Sequence, residues 1–343
     1  MKRLIFRKRN VLEWEEVEEP KITEQDQAIV KPITIARCDL DLAIFRGQTF
    51  FRPPFPVGHE FVGEILEVSE NLKEKFKKGD RVIIPFQISC GKCESCLASD
   101  SKSCDTMHSH PSDFGMGSTA KKMGGAVAEQ LLIPYASHML MPIKKEINPI
   151  SIASISDNIV EAWKMVGIHT ANSDINSILV QGGYAPSIGL YSALLGKAMG
   201  KDVTYSDFSQ ERLSIANNAG IKTLEINEYS GSLGKFDLVA DASGVKEGFY
   251  SAIKSVRSYG KVTSASVFFT NSFPIPFLEI YDKGVEFTIG RVNSFEWIPK
   301  VLEKIEQGNF PVEKVVTQIA DFSDAKEAML EETTKLVIKN INT

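Results

Sequence analysis

From about residue 175 onward, short apolar segments alternate with helical stretches, and this alternation constrains the fold of the chain more than any other feature. The apolar segments are residues 177–181, 202–205, 222–225, 236–240, 261–265 and 286–289. Strands that alternate with helices form βαβ units, in which the strands run parallel and the helices cover the sheet. The pattern therefore predicts an α/β domain built on a doubly wound parallel sheet.

The first 150 residues follow a different pattern. Apolar segments at 27–35, 61–68 and 81–85 are separated by turn residues such as Pro53-Pro54 and Gly124-Gly125, which is typical of a β-rich barrel or sandwich. A chain of 343 residues is long enough for two domains. We predict a β-rich domain over 1–152, completed by 292–343 because that polar tail is too short to stand alone, and an α/β domain over 153–291.

The composition excludes several classes of partner. The net charge is −5, and 43% of the residues are hydrophobic, as in an ordinary soluble protein. An acidic chain offers no electrostatic attraction for nucleic acid or for an anionic membrane. The basic N-terminus is followed by acidic residues and not by an apolar signal region. We therefore predict a cytoplasmic protein with neither nucleic acid nor membrane as a partner.

Four of the five cysteines form a cluster with the spacing C-x2-C-x2-C-x7-C. They are Cys90, Cys93, Cys96 and Cys104. Four thiolates this close in sequence can surround one tetrahedral Zn²⁺, and four protein ligands leave no open position, so the ion would be structural. An iron–sulfur cluster is the main alternative, although ferredoxin runs end in C-x3-C-P. The second alternative is that the four cysteines are surface thiols that bind no metal.

The fifth cysteine belongs to a wider pattern. Cys38 is followed by Asp41, then by Gly58-His59-Glu60, the four-cysteine segment and the segment 124–129, which reads Gly-Gly-Ala-Val-Ala-Glu. Together with the α/β half, this series resembles the zinc-containing medium-chain dehydrogenase/reductase family, which includes alcohol dehydrogenases, over essentially the whole chain. The resemblance implies a GroES-like catalytic domain and a Rossmann domain.

The resemblance also implies a set of catalytic residues. Cys38 and His59 match two ligands of a catalytic zinc, and Asp157 matches the remaining protein ligand, unless it is only a helix N-cap. Glu60 matches a carboxylate that is either a ligand or a neighbour of the metal, and Asp41 matches one that supports the histidine ligand. A zinc with an open position acts as a Lewis acid on an alcohol or a carbonyl. The expected activity is hydride transfer between an alcohol or polyol, or the matching aldehyde or ketone, and NAD(H).

Two positions depart from the family pattern. Leu40 stands where relatives carry a serine or threonine that begins a proton relay, and Glu161 stands where relatives often carry a threonine. Either the relay is rebuilt from other groups, with Glu161, Asp39 and water as candidates, or the reaction is slow. Our hypothesis is that Glu161 serves as proton acceptor or substrate contact. Glu161 as an exposed helix carboxylate is an equal alternative. A catalytically silent, nucleotide-binding relative that keeps the structural zinc also stays open.

A glycine-rich segment between the strand 177–181 and the next helix predicts the coenzyme site. The residues expected to bind the pyrophosphate there are Gly182, Gly183, Ser187, Ile188 and Gly189. Backbone N–H groups at a helix N-terminus suit this role. The loop reads G-G-Y-A-P-S-I-G, about two residues longer than the usual G-x-G-x-x-G.

The next strand ends at Asp207, which we expect to bind the adenosine ribose hydroxyls. A carboxylate there repels the 2′-phosphate of NADP, so NAD is the predicted coenzyme and NADP the alternative. Arg212 either contacts a phosphate or lies on a helix face. By the resemblance, Ser243, Phe268 and Arg291 lie along the bound coenzyme.

The substrate is predicted only as a small alcohol, aldehyde or ketone. Its pocket is expected to use the aromatic segment 45–55 and the loop 108–122. The residues considered are Phe45, Phe50, Phe51, Phe55, His108, His110 and Asp113, and the phenylalanines fit a core role equally well. Family members pair through the Rossmann sheet edge, which predicts a homodimer or homotetramer with contacts near residues 274–277.

Overall fold

The computed structural model describes residues 1–107, 113–170 and 174–340. Its strands are β1 (Lys2–Lys8), β2 (Val11–Glu16), β3 (Gln27–Ala36), β4 (Phe55–Pro56), β5 (Glu60–Val68), β6 (Arg81–Ile83), β7 (Leu131–Pro134), β8 (Met141–Pro142), β9 (Ser177–Gln181), β10 (Asp202–Asp207), β11 (Lys222–Glu225), β12 (Phe236–Asp241), β13 (Val256–Ser264), β14 (Glu286–Ile289), β15 (Gln318–Asp321) and β16 (Leu336–Lys339). Its α-helices are α1 (Asp41–Phe45), α2 (Glu94–Leu97), α3 (Gly117–Met123), α4 (Ala136–Met139), α5 (Asn158–Ala162), α6 (Ile168–Thr170), α7 (Pro186–Ala198), α8 (Gln210–Asn218), α9 (Lys246–Ser255), α10 (Phe277–Lys283), α11 (Ser294–Glu306) and α12 (Ala325–Ala328).

The chain divides into two compact units. Unit 1 contains Met1–Asp157, Asn293–Leu302 and Val316–Thr343, and unit 2 contains Asn158–Val292 and Glu303–Val315. The boundaries expected from the sequence, at residues 152/153 and 291/292, stay predictions. In the described part of the chain, no helix is long and apolar enough to cross a membrane.

Unit 1 is built around a seven-stranded sheet in which β3 is central. The order is β15-β16-β3-β5-β6-β8, and β7 also pairs with β3. Nine of the ten residues of β3 are buried, because a strand with neighbours on both sides and packing on both faces exposes little surface. A separate sheet of order β2-β1-β4 lies in the same unit.

The register of this sheet decides where the expected zinc ligands lie. Ala36 pairs with Glu60 between the antiparallel strands β3 and β5, and Val337 of β16 pairs with Ala36. Cys38 comes two residues after Ala36, and His59 comes just before Glu60. Neighbouring strands lie about 4.8 Å apart, so both side chains are brought to one edge of the sheet.

The segment 124–129 holds the backbone that leads into His59. The N–H groups of Ala126 and Val127 donate to the carbonyls of Gly58 and Val57 at 2.7 and 3.0 Å. Gly58 has a φ of +94°, and a Cβ there would lie 2.8 Å from the backbone nitrogen of Val127. Only glycine adopts this conformation without strain, so the Gly58-His59 pair is required by the local backbone.

Unit 2 contains a six-stranded sheet whose order is β11-β10-β9-β12-β13-β14, with every pair parallel. The strands β9, β10 and β11 follow one another toward one edge of the sheet. The strand β12 then pairs with the other side of β9, and β13 and β14 continue toward the opposite edge. Ligands of such sheets bind at this reversal, beyond the carboxyl ends of the strands. The doubly wound α/β architecture expected from the alternating pattern is confirmed.

The helix that follows Asp157 is interrupted. The α-helix α5 ends at Ala162 and is followed by one π-turn, Trp163–Gly167. The Thr263 hydroxyl donates to the Met165 carbonyl at 2.9 Å, which satisfies a carbonyl within the widened turn. Periodicity in the sequence does not reveal the π-turn, because every residue from Asn158 to Gly167 is buried and no exposed face marks the period.

Candidate metal and coenzyme sites

Three predicted zinc ligands converge in unit 1. The ligand atoms of Cys38, His59 and Asp157 all lie within 4.8 Å of one another. Asp157 Oδ2 lies 3.2 Å from both Cys38 Sγ and His59 Nε2. Cys38 and His59 are buried, and the Asp157 side chain is 14% exposed. The three donors therefore face one another in a largely buried space.

These three atoms have a spacing that fits zinc. With Zn–S near ~2.3 Å and Zn–N or Zn–O near ~2.0 Å, neighbouring ligand atoms of a tetrahedral ion lie roughly 3.3–3.5 Å apart. The observed 3.2 Å separations are close to this spacing. A thiolate, an imidazole and a carboxylate also form a donor set that zinc accepts. Three protein ligands leave a fourth position for a substrate.

The charges around His59 explain its protonation. Burial opposes a charge on the imidazole, but the carboxylates of Asp41 and Asp157 outweigh burial and raise the pKa of His59 to about 9. Asp41 Oδ1 lies 3.9 Å from His59 Nδ1, which is too long for a hydrogen bond, and Nδ1 is buried without a hydrogen-bond partner. Asp41 Oδ2 instead accepts the Cys38 N–H at 3.0 Å. Asp41 thus supports the histidine by charge and the cysteine by a hydrogen bond.

The neighbouring charged groups also shift the pKa values of the other two donors, Cys38 and Asp157. Burial, together with the carboxylates of Asp157 and Glu60, raises the pKa of the Cys38 thiol well above its usual value. Burial would also raise the pKa of Asp157, but the hydrogen bond with His59 outweighs it and lowers that pKa. A divalent cation placed here would reverse this balance and favour the thiolate and the neutral imidazole.

Glu60 does not join the three donors, because other groups hold its carboxylate. Glu60 Oε2 accepts hydrogen bonds from Lys335 Nζ at 2.9 Å and from the Ser154 hydroxyl at 2.9 Å. Burial raises the pKa of Glu60 to about 7, against the lowering effect of the Lys335 ammonium. The structure thus places Glu60 beside the three donors but in an ion pair of its own.

The four cysteines of the C-x2-C-x2-C-x7-C segment also converge, with their sulfur atoms within 4.8 Å of one another. Cys93 Sγ lies 3.8 Å from Cys104 Sγ, which matches the roughly 3.8 Å between two sulfurs bound to one tetrahedral zinc. The Thr106 hydroxyl donates to Cys90 Sγ at 3.1 Å. Burial opposes the thiolate, but hydrogen-bond donors led by Thr106 outweigh it and lower the pKa of Cys90 to about 6.

The predicted coenzyme loop connects β9 to α7 in unit 2. Pro186 occupies the first turn of α7, where its missing N–H costs nothing. Gly183 has a φ of +149°, and a Cβ there would lie 2.7 Å from the Ser243 carbonyl oxygen. At Gly189 a Cβ would lie 3.3 Å from the Gly182 Cα. These glycines let the loop, the helix and β12 pack closely, as a nucleotide-binding turn requires.

The first turn of α7 contains the other two loop residues expected to bind the coenzyme. Ser187 and Ile188 are both buried. The Ser187 hydroxyl donates to Asn158 Oδ1 of α5 at 3.1 Å. The extra two residues of the loop do not prevent a strand–turn–helix arrangement.

Asp207 ends β10 as expected, but its carboxylate is fully buried and already hydrogen bonded. Oδ1 accepts from Arg212 Nη2 at 2.6 Å and from the Ser209 N–H at 2.9 Å. Oδ2 accepts from Arg212 Nε at 2.7 Å and from the Tyr205 hydroxyl at 2.6 Å. Arg212 is thus neither a free phosphate contact nor a solvated helix residue, and it offsets the negative charge on which the preference for NAD was argued.

The remaining predicted coenzyme residues lie at different depths. Ser243 is buried at the end of β12, and its N–H donates to Asp241 Oδ1 at 3.0 Å. Phe268 is half-buried and packs on Phe273 with ring centroids 4.8 Å apart. Arg291 is exposed. No contact in the structure assigns these three a coenzyme role, so their roles stay predictions.

Glu161 is buried rather than exposed, and it forms an ion pair with Lys164 one turn along the helix. Lys164 Nζ also donates to the Gly290 carbonyl at 2.6 Å. The alternative of a solvated helix carboxylate is therefore not what the structure shows. The proposed role of Glu161 in proton transfer stays a prediction.

The aromatic segment 45–55 is divided between core and surface. Phe45 and Phe55 are buried and pack against Phe6, each with ring centroids 5.5 Å from it. Phe50 is exposed, and Phe51 is half-buried. His108 and His110 lie outside the described residues, and Asp113 is buried. Of the four phenylalanines, Phe45 and Phe55 therefore serve the core.

Lys335 is the site residue that the sequence did not indicate. It precedes the apolar strand β16, where a lone lysine normally marks a solvated strand end. Its register near β3 brings it to the same edge of the sheet as Cys38 and His59. The sequence did not indicate Tyr205 and Tyr229 either, because their contacts also depend on how distant segments pack. The Tyr229 hydroxyl donates to the Gly182 carbonyl of the predicted coenzyme loop.

Comparison with known proteins agrees with this arrangement. Residues 24–145 match the alcohol dehydrogenase GroES-like domain. The zinc-type alcohol dehydrogenase-like protein AdhB of Bacillus subtilis is 26% identical, over 94% of this chain and 96% of its own length. An L-threonine 3-dehydrogenase of Coxiella burnetii is 28% identical over 92% of each chain. Among solved structures, alcohol dehydrogenase TADH from Thermus sp. ATN1 superimposes with a TM-score of 0.86 at 24% identity, covering 99% of each chain.

Proposed function

We propose that this chain is a member of the zinc-containing medium-chain dehydrogenase/reductase family. In this proposal it transfers a hydride between an alcohol or polyol and NAD, and runs in reverse from the aldehyde or ketone. The observation that carries the proposal is the convergence of Cys38, His59 and Asp157. A tetrahedral zinc bound to these three donors would have its fourth position available for a substrate. The hydride leaves the carbinol carbon for the nicotinamide ring, and one proton is released for each alcohol oxidised. Relatives named as alcohol and threonine dehydrogenases support this substrate class.

When bound, the zinc supplies Lewis acidity that stabilises negative charge on the substrate oxygen. Cys38, His59 and Asp157 would hold it, and Asp41 fixes the Cys38 backbone through its 3.0 Å hydrogen bond. Leu40 cannot accept the proton that the alcohol releases, so another group must. We assign that role to Glu161, whose carboxylate is held in place by its ion pair with Lys164.

The two metal sites are tested by zinc analysis of single variants. The wild-type chain should hold two zinc ions. Cys38→Ser should lose one ion together with the alcohol-dependent formation of NADH, and Cys104→Ser should lose the other. A single ion that is lost with Cys104→Ser but not with Cys38→Ser would instead identify a catalytically silent relative.

The role of Glu161 is tested by its uncharged isostere. If this carboxylate accepts the proton, its protonation causes a fall in rate at low pH, and Glu161→Gln should remove that acidic limb from the pH–rate profile. Glu303→Gln, a change in an exposed carboxylate of the same unit, is the matched control. A profile that Glu161→Gln leaves unchanged would remove this residue from the proton route.

The coenzyme is proposed to be NAD, since Asp207 stands at the end of β10 where ribose hydroxyls are bound in such sheets. The bidentate pairing with Arg212 reduces the repulsion that would exclude a 2′-phosphate. Steady-state rates with NAD and NADP at equal concentration decide this point. Equal kcat/KM values for the two coenzymes would contradict the preference.

The oligomer is proposed to be a homodimer that pairs through the β14 edge of unit 2. In the described residues, β14 has a strand partner on one side. Beside it in sequence, α10 has no buried residue, and Leu278 and Tyr281 are 78% and 76% exposed. An apolar surface beside an unpaired edge strand is typical of a self-association site. Leu278→Asp should produce monomers by sedimentation velocity, whereas Ile319→Asp, in an exposed position of unit 1, should not.

We also propose a cytoplasmic location. The sulfurs of Cys90, Cys93, Cys96 and Cys104 converge as four zinc-binding thiolates would, and thiolate ligands require reduced cysteines. Thiols persist in a reducing compartment. Cell fractionation with an antibody to the chain tests this proposal, and recovery from an oxidising compartment would contradict it.

A further inference from the structure

The three donors of the proposed catalytic metal site are held in the fold in different ways. Cys38 lies two residues after β3 and His59 lies just before β5, so the pairing of these two strands fixes both donors. Asp157 ends a series of turns over residues 151–157. Sites on turns are placed less precisely than sites on strands unless neighbouring groups hold the backbone. The position of Asp157 therefore depends on the hydrogen bonds of this segment.

Ser156, the residue before Asp157, is hydrogen bonded in two directions. Its hydroxyl donates to the His59 carbonyl at 3.3 Å, and its own carbonyl accepts from the Ser294 hydroxyl. Ser156 and Ser294 are both fully buried. A buried hydrogen bond is costly to break, because water does not replace the lost partner. Ser294 thus holds the backbone that leads into Asp157.

Ser294 is the first residue of α11, and the residue before it contacts the four-cysteine lobe, residues 90–104. Asn293 Nδ2 donates to the Ser99 carbonyl at 2.9 Å, and Asn293 Oδ1 accepts the Lys102 N–H at 3.4 Å. An asparagine just before a helix commonly uses its side chain to cap the first turn. At Asn293, which is buried, both ends of the amide contact the lobe. The start of α11 is thereby attached to the lobe.

Two further hydrogen bonds join the start of this helix to the lobe and to the segment that leads into it. The Ser294 N–H donates to Gln87 Oε1 at 3.1 Å. The Ser101 hydroxyl donates to Glu296 Oε1, also at 3.1 Å. All of these residues belong to unit 1. A continuous series of hydrogen bonds therefore connects the four-cysteine lobe with the segment that supplies the third metal donor.

We propose that Ser294 is a positioning residue for Asp157, and that Asn293 fixes Ser294 to the four-cysteine lobe. Because metal binding orders the segment that supplies the ligands, an ordered lobe strengthens metal binding at the catalytic donors. The inference rests on the proposed metal site at Cys38, His59 and Asp157. Coupling between two binding sites is reciprocal, so each metal raises the affinity of the other site by the same factor.

The test measures the affinity of the catalytic site for Co²⁺ by competition with a chelator, with zinc kept in the four-cysteine lobe. Ser294→Ala should weaken cobalt binding on the order of tenfold. It should also shift the visible absorption bands of the bound cobalt, because these report the arrangement of the ligands. The matched control is Ser251→Ala, which removes a buried hydroxyl that donates to the Gly231 carbonyl at 2.7 Å in unit 2. This control should bind cobalt as wild type does.

Asn293→Ala tests the connection to the lobe and leaves the Ser294 hydroxyl in place. It should weaken cobalt binding by a smaller factor than Ser294→Ala. Asn340→Ala, which removes a side-chain amide that donates to the Pro32 carbonyl at 3.0 Å, should not weaken it. In a Cys104→Ser background the lobe is no longer ordered by its metal. Adding Asn293→Ala to that background should therefore have no further effect.

Circular dichroism checks that each variant folds. If Ser294→Ala folds but matches Ser251→Ala in cobalt affinity and spectrum, the positioning role is overturned. Asn293→Ala serves as the second measurement should Ser294→Ala not fold, and an affinity equal to that of wild type would overturn the connection to the lobe. A cobalt spectrum that Cys38→Ser leaves unchanged would contradict the metal site itself. Failure of the proposed function is thus distinguished from failure of this inference.

Discussion

A methyl group added at Gly182 should disrupt the buried hydrogen bonds of Asp207, in the loop region that we propose binds the adenosine end of the coenzyme. An ideal Cβ at Gly182 would lie 2.1 Å from Asp207 Oδ2 and 2.4 Å from the Tyr205 hydroxyl oxygen. Neither group can retreat, because both are fully buried. Asp207 is further held by two hydrogen bonds from Arg212. Gly182→Ala must therefore displace the carboxylate.

The magnitude follows from the hydrogen bonds that this displacement breaks. Oδ2 accepts two of them, from Tyr205 and from Arg212 Nε. Hydrogen bonds to a charged group contribute about 1.5–3 kcal/mol each, and the structure relaxes in part around an added methyl. We expect Gly182→Ala to lower the free energy of unfolding by about 3 kcal/mol, or roughly 100-fold in the folded-to-unfolded ratio.

Urea unfolding followed by circular dichroism measures this loss, and isothermal titration of NAD measures the accompanying loss of coenzyme affinity. Two alanine variants serve as controls. At Gly231 an added Cβ has no neighbour within 4 Å, and at Gly189 its nearest atom lies 3.3 Å away. Gly231→Ala should leave the free energy of unfolding unchanged. Gly189→Ala should change it by less than about 1 kcal/mol, because the higher helix propensity of alanine offsets the tight contact. If Gly182→Ala and Gly231→Ala unfold at the same urea concentration, the predicted displacement of Asp207 is wrong.

Three further predictions concern the core, a buried carboxylate and the metal site. Phe249 is 1% exposed in the core of unit 2, so Phe249→Ala should cost about 3–5 kcal/mol in urea unfolding, and a loss below 1 kcal/mol would contradict this packing. At Asp237, burial opposes the charge, but backbone N–H donors at Ser177 and Asn176 outweigh it and lower the pKa. The resulting stability is present above the unfolded-state pKa and is lost as the pH falls through the folded-state pKa, so the difference in unfolding free energy between wild type and Asp237→Asn should vanish in acid. Because the pKa of His59 is raised to about 9 and that of Cys38 is also raised, zinc should displace close to two protons at pH 7 and bind more tightly as the pH rises. Calorimetry in buffers of different ionisation enthalpy counts these protons, and a count of zero would contradict the assignment.

The predictions that succeeded from the sequence were those in which local spacing and chemistry agree. Four cysteines within fifteen residues can close around one ion whatever the rest of the chain does, and the structure brings their sulfurs together. The alternation of strands and helices likewise demands a parallel sheet, because each segment can bury its apolar face in no other way.

What the sequence could not decide depends on partners distant along the chain. Asp207 and Arg212 are five residues apart, yet their four-bond arrangement with Tyr205 and Ser209 depends on how β10 packs beneath the coenzyme loop. Glu60 and Lys335 are 275 residues apart, and only the pairing of β16 with β3 and β5 brings them within 2.9 Å.

The amino-acid sequence by itself therefore determined the fold class and the spacing of the four-thiolate site, and the family resemblance predicted Cys38, His59 and Asp157 as catalytic metal donors. Tertiary structure alone decided which carboxylates remain available for function. The physical reason is that the charge and hydrogen bonding of a buried acid depend on the groups around it, and those groups come from strands whose register no local pattern encodes.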